Sequence, residues 1–147
     1  LPRPTTETIR SVFTATELGR PARRSPSPDL SVLVVDDDDR MLRAYARFLH
    51  PRCRIVVARD GSEAVELLDS GSKVDVVVTD LQLLEVDHFS MLAWLRERRP
   101  ELARRTILVV DALDDTHDDY PDLRDMPILA KPIEGNALLA LLDRVTS

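Results

Sequence analysis

The chain has 147 residues, 44% of them apolar and only 4% aromatic, which suits one domain with a core of Val, Leu, Ile and Ala and excludes a fully disordered chain. No apolar run approaches the ~18 residues of a membrane span, the opening residues lack the pattern of a secretory leader, and a lone cysteine, Cys53, excludes an internal disulfide framework and suits a reducing cytoplasm. Residues 1–30 hold five Arg against Glu7, Glu17 and Asp29, so residues 31–147 carry −8 of a net −6, an acidic balance that disfavours direct nucleic-acid binding and suits a cation site.

Residues 1–30 contain five prolines and the stretch Gly19-Arg-Pro-Ala-Arg-Arg-Ser-Pro-Ser-Pro28, the composition of a linker or tail. From Ser31 the pattern changes. Ser31–Val35 is a β-branched run, predicted as a buried strand. Met41, Leu42, Tyr45, Phe48 and Leu49 follow at helical spacing, and Pro51 stops that helix. Arg54–Ala58 is a second strand. Gly61 opens a helix that closes near Gly71. Val74–Thr79 is a third strand, Phe89–Arg98 a helix, Thr106–Val110 a fourth strand and Pro127–Ala130 a weak fifth. Leu138, Leu141, Leu142 and Val145 mark a last helix.

Strands alternating with helices predict a parallel sheet covered on both faces, with ligands beyond the carboxyl ends of the strands. The expected fold is α/β, flavodoxin-like, with five parallel strands in the order 2-1-3-4-5. One position resists. Between Ala112 and Lys131 a helix is due, yet six Asp and Pro121 make the segment a poor helix former, so a short or irregular one is expected.

The polar residues at the strand ends carry the chemistry. The first strand ends in Asp36-Asp37-Asp38-Asp39, the third in Asp80, the fourth in Asp111 and the fifth in Lys131-Pro132. In a parallel sheet these ends share one edge. Carboxylates about 4 Å apart repel by roughly 4 kcal/mol at an effective dielectric near 20, and a divalent cation offsets this. Mg²⁺ matches an oxygen-only ligand set. Asp38 and Asp39, at a helix start, are expected to cap it.

Val34-Val35-Asp36-Asp37, then Asp80 43 residues beyond Asp37, then Lys131-Pro132 51 residues beyond Asp80, resembles the response-regulator receiver domain of two-component signalling. The resemblance covers about Leu30 to Thr146 and assigns residues 31–147 as the receiver domain. It implies that Asp80 is the phosphoacceptor, taking a phosphoryl group from a histidine kinase or phosphotransfer protein. It implies that Asp36 and Asp37 hold Mg²⁺ with Asp80 and the backbone carbonyl of Gln82, and that Lys131 contacts the phosphoryl group. A cis Lys131–Pro132 peptide is usual in the family.

The sequence departs from the family at its switch. A Thr or Ser is usual where this chain has Asp111, and an aromatic where it has Ile128. A hydroxyl donates a hydrogen bond to a phosphoryl oxygen; an ionised carboxylate only accepts. Asp111 has four readings: an ion pair with Lys131, a water-bridged second cation, a carboxyl of raised pKa, or a strand-end cap facing solvent. The loop after Asp80 has Leu84 and His88 where the family has Pro and Gly, which predicts another loop path. His117, among Asp114, Asp115, Asp118 and Asp119, is read as part of a solvated acidic loop.

The expected function is therefore a Mg²⁺-dependent phosphorelay receiver in the cytoplasm, not an enzyme, acting on an unnamed downstream protein, compatible with a homodimer, and contacting neither nucleic acid nor membrane. The alternative is a pseudo-receiver, a protein-interaction module that works without phosphorylation. A phosphatase reading of Asp36-x-Asp38 is disfavoured by Arg40 and the short chain. The sequence reads equally as a stand-alone receiver or a piece of a longer protein.

Overall fold

The computed structural model describes residues 30–111 and 120–147. The Pro/Arg-rich stretch before Leu30 and the acidic loop around His117 lie outside the described residues. Five strands, β1 Leu30–Val35, β2 Cys53–Ala58, β3 Val76–Asp80, β4 Thr106–Val110 and β5 Ile128–Ala130, form one parallel sheet in the order β2-β1-β3-β4-β5. The flavodoxin-like expectation holds. Among the described residues there are six α-helices: α1 Asp39–Leu49, α2 Gly61–Asp69, α3 Leu81–Val86, α4 Ser90–Arg98, α5 Pro100–Arg104 and α6 Gly135–Thr146.

The strand sequences dictate two layers, because successive side chains point to opposite faces. Val32, Val34, Val76, Val78, Ile107 and Val109 face Leu42, Tyr45 and Leu49 of α1 and Leu138 and Leu142 of α6. Leu33, Val35, Val77, Leu108 and Val110 face Leu68 of α2, Leu81 and Leu84 of α3, Met91, Leu92 and Leu95 of α4, and Leu102 of α5. Cys53 is buried, and burial pushes its thiol up to about 11.

Two helices depart from the expected path. The segment after Asp80, expected as a loop, forms α3, whose N-cap is Asp80 itself. Pro100, expected only to end the preceding helix, occupies the first turn of α5, a position where its missing N–H is not needed. Between β4 and β5 the described part of the expected irregular helix is a single 3₁₀ turn, Pro121–Leu123; the rest of that segment lies outside the described residues.

The loop after α3 keeps the left-handed backbone that glycine would favour. His88 has φ 55° and Phe89 φ 61°. The Phe89 N–H donates to the Leu84 carbonyl at 2.8 Å and the His88 N–H to the Glu85 carbonyl at 3.0 Å. This is a Schellman C-cap with histidine in the glycine position. Asp87 beside it accepts from the Ser90 and Met91 N–H groups and so caps α4.

Candidate functional site

Sheet register assembles the site. Val35 pairs with Thr79, so the next residues, Asp36 and Asp80, leave the carboxyl edge side by side. Val110 pairs with Ala130, and the Lys131 N–H continues the ladder to the Val110 carbonyl at 2.8 Å. Asp36, Asp80, Asp111 and Lys131 thus meet at one rim, as the parallel topology predicts. The Lys131–Pro132 peptide is cis.

Lys131 Nζ lies 3.1 Å from Asp80 Oδ2 and 3.9 Å from Asp111 Oδ1. Burial alone would lower the lysine pKa. The hydrogen bond and charge of Asp80, with Asp36 and Asp111 behind it, outweigh burial and raise it, so the site holds a fixed positive charge. Asp80 is nearly buried, and its Oδ1 accepts the Gln82 N–H at 2.8 Å.

Asp36 is the deepest carboxylate, 1% exposed. Its Oδ1 accepts the Asp38 N–H at 2.9 Å. Its Oδ2 is buried without a partner. Burial, reinforced by the charges of Asp80 and Asp37 and opposed by the Asp38 N–H and Lys131, pushes its carboxyl up to about 6. The same burial, with Asp36 and Asp80 nearby, pushes the Tyr45 phenol up. An orphaned buried carboxylate oxygen beside a second carboxylate is a coordination position for a hard cation. Among the described residues no three His, Cys, Asp or Glu side chains are already gathered as a metal group. A cation here would therefore complete its shell with waters, backbone oxygens or a ligand oxygen, as Mg²⁺ commonly does. The residues fit such an ion.

The other expected residues fall as follows. Asp37 is exposed next to Asp36. Gln82 sits in the first turn of α3 and faces Asp80 with its N–H, while carbonyls of that turn run toward the far end of the helix. Its side-chain amide reaches Asp111 Oδ2 at 3.4 Å. Asp111 is half exposed and lies between that amide and Lys131. Ile128 packs half-buried against the α3–α4 layer. Asp38 caps α1 by accepting the Arg40 N–H, and His88 is exposed.

Sequence reasoning missed Arg59. It follows Ala58, the last residue of β2, which stands opposite Val35, and so emerges at the same rim. Its guanidinium donates to the Asp37 carbonyl at 3.2 Å and pairs with Asp39. The available signal was its place one residue past a strand end. Tyr120 was missed too: its hydroxyl contacts Glu85 of α3 at 3.2 Å and its ring lies 4.7 Å from that of Phe89. No spacing rule reveals that contact.

Residues 32–143 match the family model described as the response regulator receiver domain. The transcriptional regulatory protein GlrR of Escherichia coli strain K12 is 27% identical over 119 residues, 76% of this chain and 25% of that protein. The sensor kinase CckA of Brucella abortus is 35% identical over 78 residues, 52% of this chain and 8% of that protein. The chain thus spans a quarter or less of these relatives. Among solved structures, the signal receiver domain of an HD domain-containing protein from Pseudomonas fluorescens Pf-5 superposes with TM-score 0.67 at 24% identity, covering 79% of this chain and 93% of that one. The Francisella response regulator 1452 receiver domain superposes with TM-score 0.63 at 27% identity, covering 80% and 97%. With the family model matched from β1 into the last helix, and the acidic pair, Asp80 and Lys131 at one rim, the chain belongs to the response-regulator receiver domain family.

Proposed function

We propose that this receiver is a phosphorylation switch in which Asp80 accepts a phosphoryl group from a histidine kinase or phosphotransfer protein. The observation that carries this is the Lys131–Asp80 contact at 3.1 Å beside the unpartnered Asp36 Oδ2. An Asp80 oxygen would attack phosphorus as the P–N bond to the donor imidazole breaks, and the released imidazole would take its proton from solvent. Two groups of the chain support this reading. The Gln82 N–H orients the carboxylate, and the Lys131 ammonium can move from Asp80 to an incoming phosphoryl oxygen.

Asp36, Asp37 and Asp80 would hold Mg²⁺, and the Gln82 carbonyl could join only by leaving the first turn of α3. The ion, when bound, supplies positive charge against the oxygens of the transferring group. The protein's role is to accept and present the group, not to turn over a substrate, and its output is a protein partner or a second copy of itself. The acidic balance of residues 31–147 disfavours contact with nucleic acid. No helix among the described residues is long and apolar enough to cross a membrane.

Asp111 favours a second reading. A carboxylate at the usual hydroxyl position, 3.9 Å from Lys131, competes for the ammonium and repels a phosphoryl group, as in an interaction module that works unphosphorylated. One experiment separates the two. Incubation with acetyl phosphate, or a phosphorylated kinase, and Mg²⁺ should add one phosphoryl group by mass spectrometry, absent in Asp80→Asn. No uptake by the wild type, with partner binding unchanged in Asp80→Ala, would establish the interaction module instead.

A further inference from the structure

We infer that Arg59 is a positioning residue for the cation site, acting through the Asp37–Asp38 peptide. The inference rests on the proposed function, because that reading supplies the cation.

The peptide between Asp37 and Asp38 is held from both sides. Its carbonyl accepts from Arg59 Nη1 at 3.2 Å. Its N–H donates to Asp36 Oδ1 at 2.9 Å. Engaging Oδ1 in this way fixes the Asp36 carboxylate and leaves Oδ2 as the buried oxygen without a partner. The second guanidinium nitrogen, Nη2, pairs with Asp39 in the first turn of α1. Arg59 therefore pins the acidic loop at its middle and at its end. Its own position is fixed as well. The side chain is only 14% exposed, and its backbone N–H donates to Glu63 Oε1 at 2.7 Å, while the Glu63 N–H is in turn bonded to Asp60.

Four consecutive aspartates repel one another. Without a clamp the loop relaxes by turning its carboxylates and the 37–38 peptide toward water. Arginine suits the clamp because its planar fork engages two acceptors in one geometry, whereas a lysine ammonium is a single mobile point.

Charge and position make opposite forecasts for removing Arg59. As a charge, the guanidinium repels a divalent cation, so its loss would tighten binding. As a clamp, it holds the ligand loop in shape, so its loss would weaken binding by on the order of tenfold, in the range seen when partners of metal ligands are removed.

The test is direct ion binding to the unphosphorylated protein. Mn²⁺ is the probe, followed by the loss of its free-ion electron paramagnetic resonance signal and displaced by Mg²⁺. Arg59→Ala should raise the half-saturating Mn²⁺ concentration by about tenfold, and Arg59→Lys should fall between it and wild type. The Mg²⁺ concentration that half-supports phosphorylation should rise in the same order, from wild type through Arg59→Lys to Arg59→Ala. Thermal melts confirm that both variants are folded. An Arg59→Ala protein that binds Mn²⁺ as tightly as wild type, or more tightly, overturns the inference. A wild type that takes up no Mg²⁺-displaceable Mn²⁺ overturns both readings. A wild type whose ion binding depends on Arg59 yet takes no phosphoryl group defeats the proposed function alone.

Discussion

Asp36 is a carboxylate placed where ionisation is unfavourable, and that placement has a measurable signature. Its pKa is about 6 in the folded protein against 3.8 as the ordinary value, with burial as the first cause. The folded state therefore binds this proton more tightly than the unfolded state. Stability from this group is fully present below pH ~3.8 and is lost as pH rises through about 6. At neutral pH the ionised group costs on the order of 3 kcal/mol, from 1.36 kcal/mol for each pH unit. Asp36→Asn keeps the acceptor for the Asp38 N–H and removes the charge. In the absence of divalent ions it should be more stable than wild type by about 1–3 kcal/mol at pH 7.5 in urea unfolding. The gap should shrink as pH falls toward 4. A variant no more stable than wild type at pH 7.5 would mean that water or a counter-ion already satisfies the Oδ2 atom. Such stored instability at a site is what a bound cation would relieve.

At the scale of elements, α3 and its exit explain most of what the sequence hid. The α3 C-cap uses His88 at φ 55°, where an L side chain costs roughly 1–2 kcal/mol. His88→Gly removes that strain and adds unfolded-state entropy of smaller size, for a net gain of about 0.5–1 kcal/mol. A melting temperature raised by a few degrees checks this; an unchanged or lower one would show that the histidine makes compensating contacts in the loop. The missing glycine predicts another loop path; His88 nevertheless takes the left-handed backbone, held by the two backbone bonds of the cap. Elements with a strong pattern were legible: β1 and β4 are apolar, β-branched runs, and α1 and α6 repeat apolar residues at helical spacing. What escaped was short. The six residues Leu81–Val86 give too few turns to show a period, and their N-cap, Asp80, already had a role as the candidate phosphoacceptor. Pro100 was legible as a stop but equally opens the next turn. For the same reason the ends Asp36, Asp80, Asp111 and Lys131 were legible from topology alone. Arg59 and Tyr120 were not, because their significance depends on side-chain reach across strands and loops, not on register.

For the whole molecule, the sheet divides the core into two layers while the charged groups gather at one edge, so an ion bound there is linked to global stability. A ligand that binds only the folded state stabilises it by RT ln(1 + [L]/Kd), about 2.7 kcal/mol at a hundredfold excess over Kd. For a domain of this size that is a rise in melting temperature on the order of 10 °C. A chain whose residues 31–147 carry −8 would also gain from any salt, since screening relieves self-repulsion. The two effects separate by site and by pH. If the ion sits at the rim, millimolar Mg²⁺ should raise the melting temperature at pH 7.5 well beyond NaCl of equal ionic strength. Asp36→Asn should lose most of the difference. At pH 5, below the Asp36 pKa of about 6, a proton occupies the carboxyl the cation needs, and the Mg²⁺ response should shrink. A response to Mg²⁺ that matches NaCl, or persists undiminished in Asp36→Asn and at pH 5, would place the ion on the general negative surface. It would also remove the cation from the proposed mechanism, leaving Lys131 as the positive group paired with Asp80 among the described residues.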